Sequence, residues 1–222
     1  MAKEKGGTMK GKIQKTMVGA IISFSVLLTF SNPTWADGTI IDQWDDVKAP
    51  KAPELKPVRV DPNVTALLVL DIEKRTCDSE RRPRCITSVP KIRSLITKAR
   101  AKGMLIVYSL TSKGTKETIL KEVTPLNEEP VVKSSVDKFY GTELEKILRE
   151  KGIKTVIIVG TAANGAVLGT AIGAAMRKLN IIVPVDGMSD KLYSEQYVTW
   201  HLVNAPGTRR LTTLTQINMI EF

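Results

Sequence analysis

The stretch of residues 155–179 constrains the fold of this chain most strongly. It opens with a continuous apolar run at residues 156–159, which is typical of a strand buried on both faces. A short turn follows, and then a segment rich in glycine and alanine, whose small side chains allow close backbone approach. In open α/β sheets, the carboxyl end of a strand and the start of the next helix form the usual binding crevice. The stretch therefore indicates either a ligand-binding turn or a helix that is only tightly packed on a sheet.

The rest of the chain alternates between strand and helix patterns. Apolar runs predict strands at residues 66–70, 104–110, 131–133, 181–185 and, at the end of the chain, 217–222. Helical spacing predicts helices at residues 88–102 (with Pro90 in the first turn), 142–151 and 192–202. Such alternation predicts an α/β fold, in which a mostly parallel sheet carries helices on both faces.

The first 36 residues have the order of a secretory signal peptide. A basic leader is followed by a 14-residue apolar segment at residues 17–30 and by the small residue Ala36 at the expected cleavage point. An uncleaved membrane anchor is the alternative, although the apolar run is short for a membrane span. We expect export to the periplasm or secretion, with no stable membrane anchor after cleavage.

Removal of this leader also changes the charge balance. The formal net charge of the whole chain is +10, but five lysines and one glutamate lie within residues 1–36. The mature chain has 28 Lys and Arg against 22 Asp and Glu, a net charge of +6. These charges are interspersed and form no basic stripe with aromatic residues, so nucleic-acid binding is poorly supported.

Residues 37–64 form a proline-rich segment between the leader and the globular part. Four prolines among charged residues exclude a helix or a central strand here. We predict an extended arm that lies across the domain or reaches a neighbouring subunit, and a disordered linker is the alternative. The α/β domain is expected at residues 65–222.

Cys77 and Cys85 are the only two cysteines of the chain. In an oxidising compartment, a disulfide that closes this short charged loop is expected. Two free thiols, or one reactive thiol, are the alternative. Metal binding by this pair is not expected, because the single histidine of the chain, His201, is distant in sequence.

Three strand ends place special residues on one rim of the predicted sheet. Asp71 ends the first strand, Lys133 follows the short extended piece, and the turn at residues 161–166 ends the central strand. An acid and a base that converge on a pocket can shift each other's pKa and exchange protons. Each residue alone also has a structural explanation, since Asp often caps helices and Lys is usually solvated.

Taken together, these motifs resemble the isochorismatase-like superfamily, which includes the cysteine hydrolases. The resemblance spans about residues 65–186 and rests on three motifs: Asp71 after an apolar strand, Lys133 six residues before the Phe139 of an F-x-G-T-x-L segment, and a G-x-A-x-N-x-x-V turn. It implies a three-layer α/β/α fold. Most members use an Asp-Lys-Cys triad and have a non-proline cis peptide in the turn, which here would fall at Thr161-Ala162 or Ala162-Ala163.

Carried over residue by residue, the resemblance makes Asp71 the acid/base and Lys133 the lysine, while the nucleophile position falls on Ala166. A methyl group cannot attack a carbonyl, so the family's cysteine amidase chemistry is not expected. The amides of Gly165 and Ala166 remain candidates for an oxyanion hole. The expected turn residues are Thr161, Ala162, Ala163 and Gly165, and the expected pocket residues are Glu73, Phe139 and Tyr140. The histidine metal motif of the nicotinamidases is absent from the sequence, so we expect neither a metal nor another cofactor.

Two functions of different classes remain after this comparison of motifs. Isochorismatases also lack the cysteine and hydrolyse a vinyl ether by protonation from the Asp, so we favour a small-molecule hydrolase without a covalent intermediate. Because isochorismate is a cytoplasmic metabolite, we expect the substrate of this exported chain to be a different, unidentified molecule. The alternative is an inactive member that binds a small molecule or a protein. A third possibility is that Cys77 or Ser135 replaces the nucleophile.

The resemblance to the family also implies that the protein forms a homo-oligomer.

Overall fold

The computed structural model of the protein describes residues 38–222, so the expected signal peptide lies outside the described residues. The chain divides into two compact units, Met1–Ala49 and Pro50–Phe222. The described part of the first unit contains one 3₁₀ turn, Trp44–Asp46. Within residues 38–222, none of the helices has the length and apolar character that crossing a membrane requires.

The second unit contains nine strands and four α-helices among its described residues. The strands are β1 (Val58–Arg59), β2 (Thr65–Leu70), β3 (Leu105–Leu110), β4 (Val131–Lys133), β5 (Thr155–Thr161), β6 (Asn180–Pro184), β7 (Met188–Ser189), β8 (Thr212–Thr215) and β9 (Ile220–Glu221). The helices are α1 (Pro83–Ala101), α2 (Leu144–Glu150), α3 (Leu168–Met176) and α4 (Leu192–Asn204).

The main sheet is parallel throughout, with the strand order β4-β3-β2-β5-β6-β8 and with β7 paired to the end of β5. Alternate residues of β2 point to opposite faces. Leu68 and Leu70 pack in a cluster with residues of α2, α3 and α4, whereas Leu67 and Val69 pack with residues of α1. The expected three-layer α/β/α fold is confirmed.

Several boundaries differ from those expected. Helix α1 begins at Pro83, five residues before the expected start. Pro83 is tolerated there because a residue of the first helical turn does not need its N–H for a helical hydrogen bond. Pro90 consequently lies inside the helix and not in its first turn. Strands β7 and β8 were not predicted, since β7 has two residues and β8 is three-quarters threonine. The expected final strand is reduced to β9, which follows a 3₁₀ turn, Ile217–Met219.

The last part of the proline-rich segment lies on the α/β domain. Strand β1 pairs in parallel with β9, and the Lys56 amide donates to the Leu214 carbonyl over 2.9 Å. Leu55 packs against the larger cluster on the side of α2. Residues 50–64 therefore belong to the same compact unit as the sheet, and the arm is not wholly a free linker.

Cys77 and Cys85 form the expected disulfide, which joins the segment after β2 to the first turn of α1. Both side chains are buried, and no described cysteine is free. We predict that Cys77→Ser with Cys85→Ser lowers the free energy of unfolding by about 2–3 kcal/mol, mainly because the unfolded chain gains freedom. Urea unfolding of the mature protein measures the difference; an unchanged midpoint would show that the bridge contributes nothing.

Gly160 allows β5 to approach β2 immediately beside the start of the site. Its φ is +128°, and an added Cβ would lie 2.1 Å from the Leu70 carbonyl oxygen. The Leu70 backbone could move away from such a Cβ only if β2 and β5 separated. Gly103 also has a positive φ, +66°, but a Cβ there would meet no atom within 4 Å.

We therefore predict that Gly160→Ala destabilises the protein by more than about 4 kcal/mol or prevents folding. Gly103→Ala is the matched control, and it should cost only about 1–2 kcal/mol, the penalty of its left-handed backbone. Chemical denaturation of both variants measures the difference, and equal costs would contradict the close-contact explanation.

Candidate functional site

Asp71 lies directly after β2, at the carboxyl edge of the sheet. Its backbone adopts a positive φ of 52°, and the residue is 4% exposed. The hydroxyl of Ser109, near the end of β3, donates to Asp71 Oδ1 over 2.6 Å. The neighbouring parallel strand thus fixes the orientation of this carboxyl group.

Lys138 supplies the positive charge beside Asp71. Its Nζ lies 2.8 Å from Asp71 Oδ2, and its side chain has no exposed surface. The same ammonium donates to the carbonyls of Ser135 at 2.7 Å and Ser134 at 3.1 Å. Three donors are therefore matched by three close acceptors, as a buried cation requires.

The structure corrects the expected position of the lysine, since Asp71 pairs with Lys138 and not with Lys133. Side chains alternate along β4, and Val132 packs in the cluster that contains Ala166, whereas Val131 packs against the opposite one. Lys133 has the parity of Val131, and it is exposed. Motif spacing counted along the chain did not distinguish the two faces of this strand.

The environment of Asp71 changes its acidity. Burial raises the pKa of the Asp71 carboxyl above its ordinary value, and the nearby negative charge of Glu73 also raises it. The Lys138 ammonium and the Ser109 hydroxyl act against this shift, because both stabilise the ionised form. Burial prevails, so the pKa lies above the usual range of an aspartate.

The turn after β5 has the expected non-proline cis peptide, between Thr161 and Ala162. The Thr161 hydroxyl donates to the Ser189 carbonyl over 2.9 Å, which ties the turn to β7. Residues Ala163–Val167 then form a π-helical turn that continues into α3. Ala163 and Ala166 are both buried, so the turn forms part of the core.

The backbone of the turn only partly matches the expected oxyanion hole. The Gly165 amide donates to the Ala162 carbonyl over 3.1 Å, so this N–H is engaged within the turn and is not free for a ligand. Ala166 packs in the same cluster as Leu70 and Phe139. The methyl group at the nucleophile position therefore has a packing role.

Helix α3 also holds the segment that carries the buried lysine. The Lys138 amide donates to the Thr170 hydroxyl over 3.2 Å, one helical turn beyond Ala166. An added Cβ on Gly169 would lie 2.6 Å from Val136 Cγ1, so the glycine permits this close packing. The Asp71–Lys138 pair and the turn are thus held together by one helix.

The three expected pocket residues occupy different environments. Glu73 is 2% exposed and accepts hydrogen bonds from the loop that follows β3. Phe139 is buried beneath the guanidinium of Arg177, which lies 4.3 Å from the ring centroid. Tyr140 is 80% exposed and projects into solvent. The structure does not bring these residues together around one cavity.

The substitute nucleophiles suggested by the sequence find little support. Cys77 is held in the disulfide, and Ser135 is an exposed residue whose carbonyl binds Lys138. Trp200 and His201 lie on α4, and His201 Nδ1 is 3.3 Å from the Tyr197 hydroxyl. Residues 38–222 contain no group of three metal-ligating side chains. The expectations on cofactors, nucleic acid and oligomer state stay predictions.

Sequence reasoning missed Lys138 and Ser109. Ser109 had a visible signal, because it is the one small hydroxyl residue in the apolar run of β3. Lys138 directly precedes the apolar Phe139, and a lysine beside a core aromatic could have been considered as a buried partner for Asp71. The spacing of the family motif directed attention to Lys133 instead.

Comparison with known proteins identifies relatives of this architecture. A family model described as the isochorismatase domain matches residues 65–215. A secreted isochorismatase effector of Verticillium dahliae is 32% identical over 139 residues, which cover 57% of this chain and 73% of that protein.

Solved structures share the fold at lower identity. The N-carbamoylsarcosine amidase of Thermoplasma acidophilum gives a TM-score of 0.61 at 24% identity and covers 69% of this chain and 96% of its own. An isochorismatase family protein of Burkholderia thailandensis gives a TM-score of 0.63 at 20% identity, with 73% and 95% coverage.

We predict that Lys138→Met destabilises the protein by about 3–5 kcal/mol under conditions in which Asp71 is ionised, because the carboxylate is then an unpaired buried charge. Lys133→Met, the matched control, should change stability by less than about 0.5 kcal/mol, since that side chain is exposed. Because the pKa of Asp71 is raised in the folded state, the folded protein holds this proton more tightly than the unfolded chain. The stability that results is lost as the pH rises through the folded-state pKa of Asp71. The cost of Lys138→Met should therefore shrink on acidification, because protonation of Asp71 removes the unpaired charge. Urea unfolding at pH 7 and pH 4.5 tests this; equal costs for both lysine variants would contradict the pairing.

Proposed function

Because the chain belongs to the isochorismatase family, we propose that it hydrolyses a small molecule by acid–base chemistry at Asp71, without a covalent enzyme intermediate. The observation that carries this proposal is the buried Asp71 carboxyl with its raised pKa, in a chain whose nucleophile position holds Ala166. A buried carboxyl whose pKa is raised keeps its proton to higher pH than an ordinary aspartate, and it can donate that proton to a substrate. A methyl group cannot form an acyl intermediate.

A vinyl ether suits this combination of groups. Protonation of the vinyl carbon by Asp71 gives an oxocarbenium ion, and water then adds to that ion. The resulting hemiketal breaks into a carbonyl compound and an alcohol, and the proton released by water restores Asp71. No step requires a nucleophilic side chain.

Lys138 supports this cycle through charge. When Asp71 has given up its proton, the ammonium 2.8 Å away stabilises the carboxylate that remains. The hydroxyl of Ser109 keeps the other carboxyl oxygen in place. Lys138 therefore has a positioning and electrostatic role, since its three protons are already directed at protein acceptors.

Isochorismate is the first substrate to test. Export of the enzyme would separate it from a cytoplasmic metabolite, but the relative in Verticillium dahliae is named a secreted isochorismatase effector. Export of this chain is supported by the leader at residues 1–36 and by the buried disulfide, a bond typical of oxidising compartments.

We predict that the mature protein converts isochorismate, or another vinyl ether of a matched panel, and that Asp71→Asn lowers kcat/KM at least about 100-fold. Activity should fall as the pH rises through the Asp71 pKa, because the acid is then ionised. Asp61→Asn alters an exposed carboxylate at the amino end of the sheet and should leave the rate unchanged. Product formation is followed by chromatography. Retention of activity in Asp71→Asn would refute the proposal.

A binding function without catalysis is the second candidate, and one observation favours it. Both oxygens of Asp71 and all protons of the Lys138 ammonium are engaged by protein groups, and the pair is almost completely buried. A folded protein that is inert on the whole panel, but whose melting temperature rises with one of its compounds, would establish this candidate over the first.

A further inference from the structure

Glu73 is a second buried carboxylate, two residues beyond Asp71. It is 2% exposed, and its Oε1 accepts the Thr111 amide over 2.6 Å. Its Oε2 accepts the Thr118 hydroxyl over 3.0 Å. The side chain therefore lies inside the loop that connects β3 to β4, and the hydrolytic chemistry proposed above assigns it no task.

The loop is closely fitted around this carboxylate. An added Cβ on Gly114 would lie 2.2 Å from Glu73 Oε2, so the glycine leaves the room that the carboxylate fills. Glu73 forms an isolated antiparallel bridge with Ile119, and the Lys74 amide donates to the Thr118 carbonyl over 2.8 Å. Loss of the carboxylate would leave the loop without the acceptor around which it packs.

The charge of Glu73 is not neutralised by a neighbouring cation. None of the ion pairs found within residues 38–222 involves it, and its partners are a backbone amide and threonine hydroxyls. The charged groups that act on Asp71 are Lys138, from the segment after β4, and Glu73 itself. A buried, uncompensated negative charge opposes the ionisation of a neighbouring carboxyl group.

We propose that Glu73 is a positioning residue, whose carboxylate holds the loop at residues 111–119 at the carboxyl edge of the sheet and whose negative charge adds to burial in favouring the protonated form of Asp71. This inference rests on the proposed acid role of Asp71. Its two parts, the mechanical and the electrostatic one, depend on different properties of the same side chain and can be separated by substitution.

The pKa of Asp71 is consistent with this assignment. Burial is the largest influence that raises it, and the charge of Glu73 adds to the shift, against the opposing effects of Lys138 and Ser109. Removal of the Glu73 charge would therefore take away one of the influences that favour the neutral form of Asp71.

The decisive measurement is the titration of the Asp71 carboxyl carbon by NMR in the full mature protein. Glu73→Gln keeps the shape and the acceptor oxygen but removes the charge. We expect the Asp71 midpoint to fall by roughly 0.5–1 pH unit. Glu117→Gln is the matched control, because it removes an exposed carboxylate from the same loop, and it should leave the midpoint unchanged.

Thr118→Val tests the mechanical part, since it removes a hydroxyl donor to Glu73 without changing any charge. We expect faster hydrogen exchange at the Thr111 amide, with the Asp71 midpoint retained. This variant also keeps the loop role testable if Glu73→Gln does not fold. Unchanged exchange in Thr118→Val would overturn the loop role, and an unchanged Asp71 midpoint in folded Glu73→Gln would overturn the electrostatic role.

These measurements do not depend on turnover. If the mature protein is inert but the Asp71 midpoint still falls in Glu73→Gln, the proposed hydrolysis fails while the influence of Glu73 on Asp71 stands. If Asp71→Asn abolishes turnover but Glu73→Gln changes neither the midpoint nor the pH profile, the acid stands and the assignment of Glu73 fails.

Discussion

The buried ion pair between Asp71 and Lys138 determines how the carboxyl edge of this protein is built. Removing two charges from water costs several kcal/mol each, and the cost is recovered only when every donor and acceptor finds a partner. Here the partners come from separate elements: Ser109 on β3, the carbonyls of Ser134 and Ser135, and the Thr170 hydroxyl, which fixes the Lys138 backbone. The pair therefore joins elements that lie far apart along the chain.

This requirement explains the small residues of α3, which the sequence left open between ligand binding and packing. A Cβ on Gly169 would collide with Val136, and one on Gly173 would lie 2.6 Å from Asp137 Oδ1. The glycines therefore let the segment before Lys138 lie directly on the helix. Their packing role serves the site indirectly, because this contact brings the lysine to Asp71.

The parts of the fold that sequence could predict are those whose signal is local. The apolar runs of β2 and β5 indicated buried strands, and Asp71 and the cis peptide at Thr161-Ala162 followed from family motifs. The lysine of the pair could not be chosen in this way, because excluding Lys133 requires knowledge of the face of β4 to which its side chain points. A strand of three residues gives almost no periodicity from which to read that face.

The protonation state of Asp71 within this pair decides whether the site can act as an acid or only as a salt bridge. A proton donor must be neutral before it acts, yet the ammonium of Lys138 favours the ionised carboxylate, as does the hydrogen bond from Ser109. Burial and the charge of Glu73 favour the neutral carboxyl, and together they outweigh Lys138 and Ser109, so the pKa of Asp71 is raised. If this balance leaves Asp71 protonated at working pH, the site has an acid without needing a nucleophile. If it leaves Asp71 ionised, the same atoms form a salt bridge whose main effect is to hold β2, β3 and α3 in place. The chemistry of the site therefore depends on the charges around one carboxyl group more than on the methyl of Ala166.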